Sequence, residues 1–340
     1  MYHSISDDPE PGVRPYYRVC TSPRRFAEHM ALLKSRGYRG VTLSEGLAWL
    51  RSPLDVERSV LDVGCSPVPP TSALRPPPSD LCSLSSALRP RTPNSDLPAP
   101  TSDLRPLTSE RPAALTFDDG FRDFHTAAFP ILQQHGFNAT MYLPTAFIGE
   151  TRRVFCPRGS SFLRPLTSDL SSNRDCLTWS EVRELHGDGI EFGSHTVTHP
   201  KLVELSWPEI ESEMVKSKSE IEQRLGATVA AFAYPYAFPQ TDDGYVRSFR
   251  QLLADAGYSC CVTTEVGRVK TGDDSYRLKR LPVNALDDTT LLQAKLEGRY
   301  DWLAGPQAWI KKLKQVPRLR RAKRDSDPPR GSDAQLKAAS

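Results

Sequence analysis

Two carboxylates stand side by side in Ala114-Leu115-Thr116-Phe117-Asp118-Asp119-Gly120, after a short apolar run and before a glycine. The run over residues 113–117 reads as a buried strand, and the glycine as the turn that ends it. Adjacent aspartates at a strand end repel one another. A bound cation is the commonest compensation, and it leaves one carboxylate as a ligand and the other as a base. Taken alone, the stretch also reads as a plain Asp-Asp-Gly surface turn. A second stretch weighs against that. Residues 190–194 read as another strand, followed by His195-Thr196-Val197-Thr198-His199-Pro200. Two histidines four apart, just past a strand end, can turn both imidazoles toward one point. With one aspartate they make a site that keeps a coordination position open, the pattern of catalytic rather than structural zinc. Each motif closes a strand, so a catalytic metal site is the expectation.

These two motifs resemble the polysaccharide deacetylase family, the NodB-like carbohydrate esterases of family four. A third segment, Phe232-Ala233-Tyr234-Pro235-Tyr236, resembles that family's third motif in the variant found near poly-N-acetylglucosamine deacetylases. The similarity runs from Tyr2 to Trp309 with two interruptions. It implies a distorted (β/α) barrel that removes acetyl groups from sugars. It implies a divalent metal, Zn²⁺ foremost, held by Asp119, His195 and His199, with Asp118 as the base. The main-chain N–H of Tyr236 would donate to the developing oxyanion, with Tyr234 and Pro235 beside it in substrate-binding or supporting roles. Tyr2-His3 resembles the first-strand motif of the same branch, which implies His3 as the acid that protonates the leaving amine. The chain departs from the family at one point. Many members carry an arginine before the third motif to orient the base, and Ala231-Phe232-Ala233 offers none. Arg280 is the candidate replacement; a surface ion pair is its competing role.

The elements that must hold these residues alternate. A helix is expected over residues 22–36, with Phe26, Met30 and Leu33 inward and Gly37 as its stop. A strand over 40–43 leads to a helix capped by Ser44. Residues 124–135 read as a helix that Pro130 delays or bends. After a strand at 139–144, Thr178-Trp179-Ser180-Glu181 has capping-box spacing before the helix to His186. A long helix follows Ser206 and ends at Gly226, its Glu and Lys residues reading as a solvated face. Strands at 229–234, 260–264 and 281–284 and a helix at 245–256 complete the series. Strand-helix alternation implies an α/β fold with a parallel sheet.

Length and composition bound the rest. A chain of 340 residues can be filled by one α/β barrel. Residues 52–112 change character: Pro, Ser, Leu, Arg and Thr dominate, and Ser-Ala-Leu-Arg-Pro recurs at 72–76 and 86–90. A related unit, Leu-Arg-Pro-Leu-Thr-Ser, occurs at 104–109 and again at 163–168. Short proline-broken units cannot bury enough to offset chain ordering, so 52–112 and 157–175 read as disordered insertions into an older domain. A proline-rich docking segment is the alternative. The expected organisation is therefore a barrel over 1–51 and 113–310 and a basic tail over 311–340. The tail reads as solvated, or as a segment for weak contact with an anionic membrane surface.

Net charge is +3, which argues against an obligate nucleic-acid partner. The seven cysteines are irregularly spaced with no CxxC pair, and no span is long enough to cross a membrane. The start, Met1-Tyr2-His3-Ser4-Ile5, has no signal-peptide character, so the chain as written reads as cytoplasmic. The expected partner is an N-acetylated carbohydrate. A non-sugar amide or imide, and a non-catalytic binding protein on the same barrel, stay open as alternatives.

Overall fold

The strand expected over 113–117 is divided between two sheets, and that division shapes the molecule. In the computed structural model, which describes residues 1–8, 10, 13, 18–52, 111–156 and 174–303, Arg111–Ala114 (β4) pairs in parallel with Tyr38–Val41 (β3). Thr116–Phe117 (β5) instead pairs with Thr140–Leu143 (β6). Leu115 joins the halves: its N–H donates to the Val41 carbonyl and its own carbonyl accepts from Thr140. From β6 the sheet continues in chain order through Glu191–Ser194 (β7), Ala231–Ala233 (β8), Cys260–Val266 (β9) and Leu278–Arg280 (β10), all parallel. Sequential parallel strands need a crossover between each pair, and so every C-terminal strand end lies on one face.

The first residues of the chain close this sheet toward a barrel. Tyr2 N–H donates to the Thr116 carbonyl at 2.8 Å, and Asp118 N–H donates to the Tyr2 carbonyl at 3.1 Å. On the other side the Met1 amine donates to the Leu281 carbonyl at 2.9 Å, and Val283 N–H to the Met1 carbonyl at 3.0 Å. Met1–Tyr2 thus lies between the β5 edge and the segment after β10. The strand expected at 281–284 is not formed; β10 sits earlier and ends at Arg280. Just beyond, Ser4–Ile5 (β1) pairs with Cys20–Thr21 (β2).

Helices pack outside the sheet. Pro23–Ser35 (α1) is capped by Ser22, whose Oγ accepts from Arg25 N–H, and it buries Phe26, His29, Met30 and Leu33. Leu43–Leu50 (α2) begins one turn-fraction earlier than expected. Thr42, not Ser44, is its N-cap, in a capping box with Glu45, and Ser44 donates to Glu191 instead. The helix around Pro130 starts as a π-turn over Phe124–Ala128 and becomes regular only over Phe129–His135 (α3). Trp179–Gly187 (α4) has the expected Thr178–Glu181 capping box. Trp207–Leu225 (α5) follows Ser206 and ends on Gly226 at φ 66°, the left-handed stop that glycine adopts without cost. Asp243–Asp255 (α6) is capped by Asp242, and Thr289–Leu296 (α7), unforeseen in the sequence, by Asp288.

The main core lies between sheet and helices, around Phe26, Phe117, Phe124, Trp179 and Phe232, all essentially buried. Removing such side chains from water contributes about 1.5–3 kcal/mol each. A smaller cluster fills the barrel interior: Leu43, Tyr142, Ala231, Ala233, Cys260, Val262 and Leu278. Tyr142 fits because β7 carries Gly193 opposite it; a Cβ there would meet the Tyr142 ring at 2.5 Å. No helix among the described residues is long and apolar enough to cross a membrane. The expected insertions, over nearly all their length, and the expected basic tail lie outside the described residues.

Candidate active site

The motifs converge where the strands end. Asp118 and Asp119 follow β5, His195 follows β7, the Tyr234–Tyr236 segment follows β8, and Arg280 closes β10. Asp119, His195 and His199 form a buried group whose potential ligand atoms all lie within 4.8 Å of one another. His195 Nε2 is 3.6 Å and His199 Nε2 3.4 Å from Asp119 Oδ1. Oδ1 is buried and has no hydrogen-bond partner, although two ring nitrogens face it. An orphaned buried acceptor is costly, and a cation between these three atoms would satisfy it. Two imidazoles and a carboxylate suit zinc and its divalent neighbours. The residues therefore fit the metal.

Backbone strain is concentrated here. Asp119, Thr196, His199 and Tyr236 have φ of 74°, 70°, 52° and 56°. Non-glycine residues hold such left-handed values only where their surroundings over-determine them. The surroundings can be named. His195 Nδ1 bonds the Ala233 carbonyl at 2.8 Å, which directs Nε2 into the site. His199 N–H donates to Thr196 Oγ1 at 3.0 Å. Glu213 of α5 accepts from Val197 N–H, Thr198 N–H and Thr198 Oγ1, each at 2.8 Å. The sequence placed Glu213 on a solvated face. It is instead the clamp that holds the histidine loop, α5 packing against β7, from which that loop leaves. Lys218 corrects the same expectation: its ammonium donates to the Val229 and Gly257 carbonyls.

The two aspartates are treated oppositely. Arg280 donates to both oxygens of Asp118, Nη1 to Oδ1 at 2.7 Å and Nη2 to Oδ2 at 2.9 Å, while its Nε holds the Thr263 carbonyl. Both partners are buried, so this is no surface ion pair. Burial alone would raise the Asp118 carboxyl, but the Arg280 guanidinium holds it well below the usual carboxylate range. Asp119 lacks such a partner. Burial, with the charge of Asp118 added, pushes it up to about 8. Burial also lowers both His195 and His199, which keeps them neutral, as metal ligands must be.

His3 is partly exposed, with Nε2 3.9 Å from Asp118 Oδ2. The Tyr236 ring packs on His199 at 4.6 Å between centroids, and Phe155 on the same imidazole at 5.3 Å. Pro235 is buried between Tyr234 and Tyr236. Tyr234 is a correction. Its hydroxyl bonds Tyr245 at 3.1 Å and its ring packs edge-on against Phe238 and Phe249. It belongs to the outer core, since side chains alternate across a strand end. Phe155 and Glu213 had gone unnoticed in the sequence, for neither belongs to a motif.

Residues 106–261 match the family model described as polysaccharide deacetylase. Over that stretch the chain is similar to the polysaccharide deacetylases. YxkH of Bacillus subtilis (strain 168), itself assigned to the polysaccharide deacetylases, is 26% identical to the chain over 176 residues. That alignment covers 52% of this chain and 53% of the relative, so the chain spans about half the length of that protein. Among solved structures, the Streptococcus pyogenes deacetylase PplD in complex with acetate superposes with a TM-score of 0.52 at 22% identity, over 87% of this chain and 95% of that one. A de-N-acetylase from Aggregatibacter actinomycetemcomitans gives 0.51 at 16% identity, over 86% and 97%. At these identities the structural likeness concerns the fold, a barrel built on the six-stranded parallel sheet. His3 and Arg280 lie outside the stretch that the family model matches, and the fold brings both to Asp118.

Proposed function

We propose that the chain is a polysaccharide deacetylase, a metal-dependent hydrolase that removes the acetyl group from an N-acetylated sugar in a glycan or glycan precursor. One observation carries the reading: within one turn, Asp118 is locked in its charged form by Arg280, while Asp119 presents an unpartnered oxygen to two imidazoles. That is the division of labour between a base and a ligand. Asp119, His195 and His199 would hold the ion. Once bound, a divalent cation supplies Lewis-acid polarisation of the acetyl carbonyl and eases ionisation of water.

The chain's own residues do the rest. Asp118 takes the proton of the attacking water, and the Arg280 fork fixes which lone pairs face it. The water oxygen bonds to the acetyl carbon, and the oxyanion formed there is met by the Tyr236 N–H. The bond to the sugar nitrogen then breaks, and His3 donates the proton that makes the leaving group a neutral amine. Burial lowers the His3 imidazole to about 4, Asp118 opposing and Arg280 adding to the effect. Resting His3 is therefore neutral, and the proton it delivers is the one Asp118 acquires, 3.9 Å away. Acetate and a free amino sugar result. The rings of Phe155 and Tyr236 shield His199 from bulk water.

The test pairs metal content with acetate release from N-acetylglucosamine oligomers. Stoichiometric metal and acetate release that stops with chelator and returns with zinc is the expected result. Protein that takes up no zinc would refute the reading. Asp118→Asn should abolish turnover while the metal stays bound, and retained turnover would remove Asp118 from the role of base.

A further inference from the structure

Behind His3 runs a chain of buried polar groups that the proposed chemistry does not touch. Tyr2 OH lies 3.1 Å from His29 Nδ1, and His29 Nε2 lies 2.7 Å from the Asp287 carbonyl. A carbonyl can only accept, so Nε2 carries the ring proton, Nδ1 accepts, and the Tyr2 hydroxyl is the donor. The Asp287 carboxylate in turn accepts from Asn284 N–H at 2.8 Å and pairs with Lys295 at 2.6 Å; Lys295 also donates to the Pro282 carbonyl at 2.6 Å. Tyr2, His29, Asp287 and Lys295 are all less than a tenth exposed. The chain therefore ties four separate segments together: the first residues, α1, the stretch after β10, and α7.

Sealing a barrel needs only apolar packing, and Tyr2 already has it, its ring lying against Phe26 and Phe117. A fully satisfied polar network adds something else, a single permitted arrangement. What it fixes here is the seating of Met1–Tyr2 between Thr116 and Asp118 on one side and Leu281 and Val283 on the other. Ser4, on the far side of His3, is held as well: its hydroxyl donates to Asp123 and its N–H to the Val19 carbonyl. His3 is thus the partly exposed residue between two anchored neighbours. We infer that Tyr2 and His29, backed by Asp287 and Lys295, are positioning residues that set His3 against Asp118 for proton delivery to the departing amine. The inference rests on the deacetylase reading with His3 as donor. A misplacement of about 1 Å in a reacting group can cost on the order of a hundredfold in rate.

Leaving-group dependence tests it. Expulsion of a sugar amine needs a proton donor, whereas expulsion of 4-nitrophenolate does not. Zinc-loaded wild type, His3→Gln, Tyr2→Phe and His29→Gln are compared on N-acetylglucosamine oligomers and on 4-nitrophenyl acetate, with zinc content and thermal midpoint recorded for each. Tyr2→Phe keeps the ring packing and removes only the hydroxyl, so it tests the contact without emptying the core. The expected result is a fall of about ten- to a hundredfold in kcat on the oligomer, with KM, zinc content and the aryl-ester rate within about twofold of wild type. His3→Gln should show the same selectivity, more strongly. If His3→Gln slows the oligomer and Tyr2→Phe and His29→Gln do not, the positioning role is overturned and the His3 assignment stands. If the variants slow both substrates equally, they merely loosen the fold, and the inference is again overturned. If His3→Gln matches wild type, or wild type releases no acetate, the reading beneath it fails and the inference falls with it.

Discussion

Arg280 and Asp118 are each about 95% withdrawn from water and joined by two hydrogen bonds, so removing either alone leaves a buried charge without compensation. Arg280→Met should therefore destabilise the protein by about 3–5 kcal/mol. Adding Asp118→Asn should recover much of the loss, a non-additivity that denaturant melts of the two single variants and the double variant would measure. Glu213 acts at one remove. Reducing its three acceptor contacts to the capacity of an amide, in Glu213→Gln, should weaken zinc affinity by about 10–100-fold. A competition titration with a chromophoric chelator would read this, and unchanged affinity would refute the clamp. These residues also mark how far the sequence is legible. Asp118, Asp119, His195 and His199 stand in short motifs at strand ends, where spacing alone suggests a shared centre. Arg280 could be named only as a candidate for orienting the base, with a surface ion pair as its competing role, because the bond to Asp118 spans 162 positions. Glu213 gave no signal, since a Glu in a Glu- and Lys-rich helix looks the same whether it faces water or a loop. Tyr234 was misread because a contiguous motif does not say which of its side chains turns outward.

At the scale of elements, the helix starts were the most legible features and the short strands the least. Caps are local chemistry: Ser22, Thr178 and Ser206 stand where Ser or Thr before a helical pattern predicts. Thr42 displaced Ser44 because the capping box needs Glu45 three residues on. The two-residue strands near the barrel seam have no period to read, and Met1–Tyr2, which closes the seam, finds its backbone partners over a hundred positions away. The start of α4 permits a quantitative test. Glu181 accepts from Thr178 N–H and from both Arg152 guanidinium nitrogens, tying the helix to the loop after β6. Burial works against its charge, but Arg152 and Thr178 win and bring the carboxyl down to about 2. Its folded value lies below its unfolded one, so its stabilisation is present above about pH 4.5 and lost as pH falls toward 2. Allowing for solvent screening, Glu181→Gln should cost about 1 kcal/mol at pH 7. The gap between variant and wild type should narrow as pH drops below 4.5. A gap that stays constant with pH would mean that shape, not charge, carries the contact.

At the scale of the whole molecule, the fold itself shows where extra chain can enter. β3 and β4 run parallel with Tyr38 opposite Arg111, so β4 begins at the same end as β3. Helix α2 returns the chain to that end, which makes β3, α2 and β4 a complete crossover unit. Ordinarily a few residues connect such a helix to the next strand. Here residues 52–109 stand between α2 and β4 in the sequence. We propose that they are an insertion into a return loop, separable from both the fold and the site. Replacing residues 53–109 with a linker of about eight Gly and Ser residues keeps every hydrogen bond of β3, β4 and the site. Loop-closure entropy favours the shorter connection by about 1.7 kcal/mol for a roughly sevenfold shortening. The shortened chain should therefore bind zinc as the full chain does and unfold at the same temperature or a few degrees higher. A calorimetric scan with and without zinc decides it. A lower midpoint in both states would show that the segment packs on the barrel. A midpoint lowered only with zinc bound would show that it reaches the site.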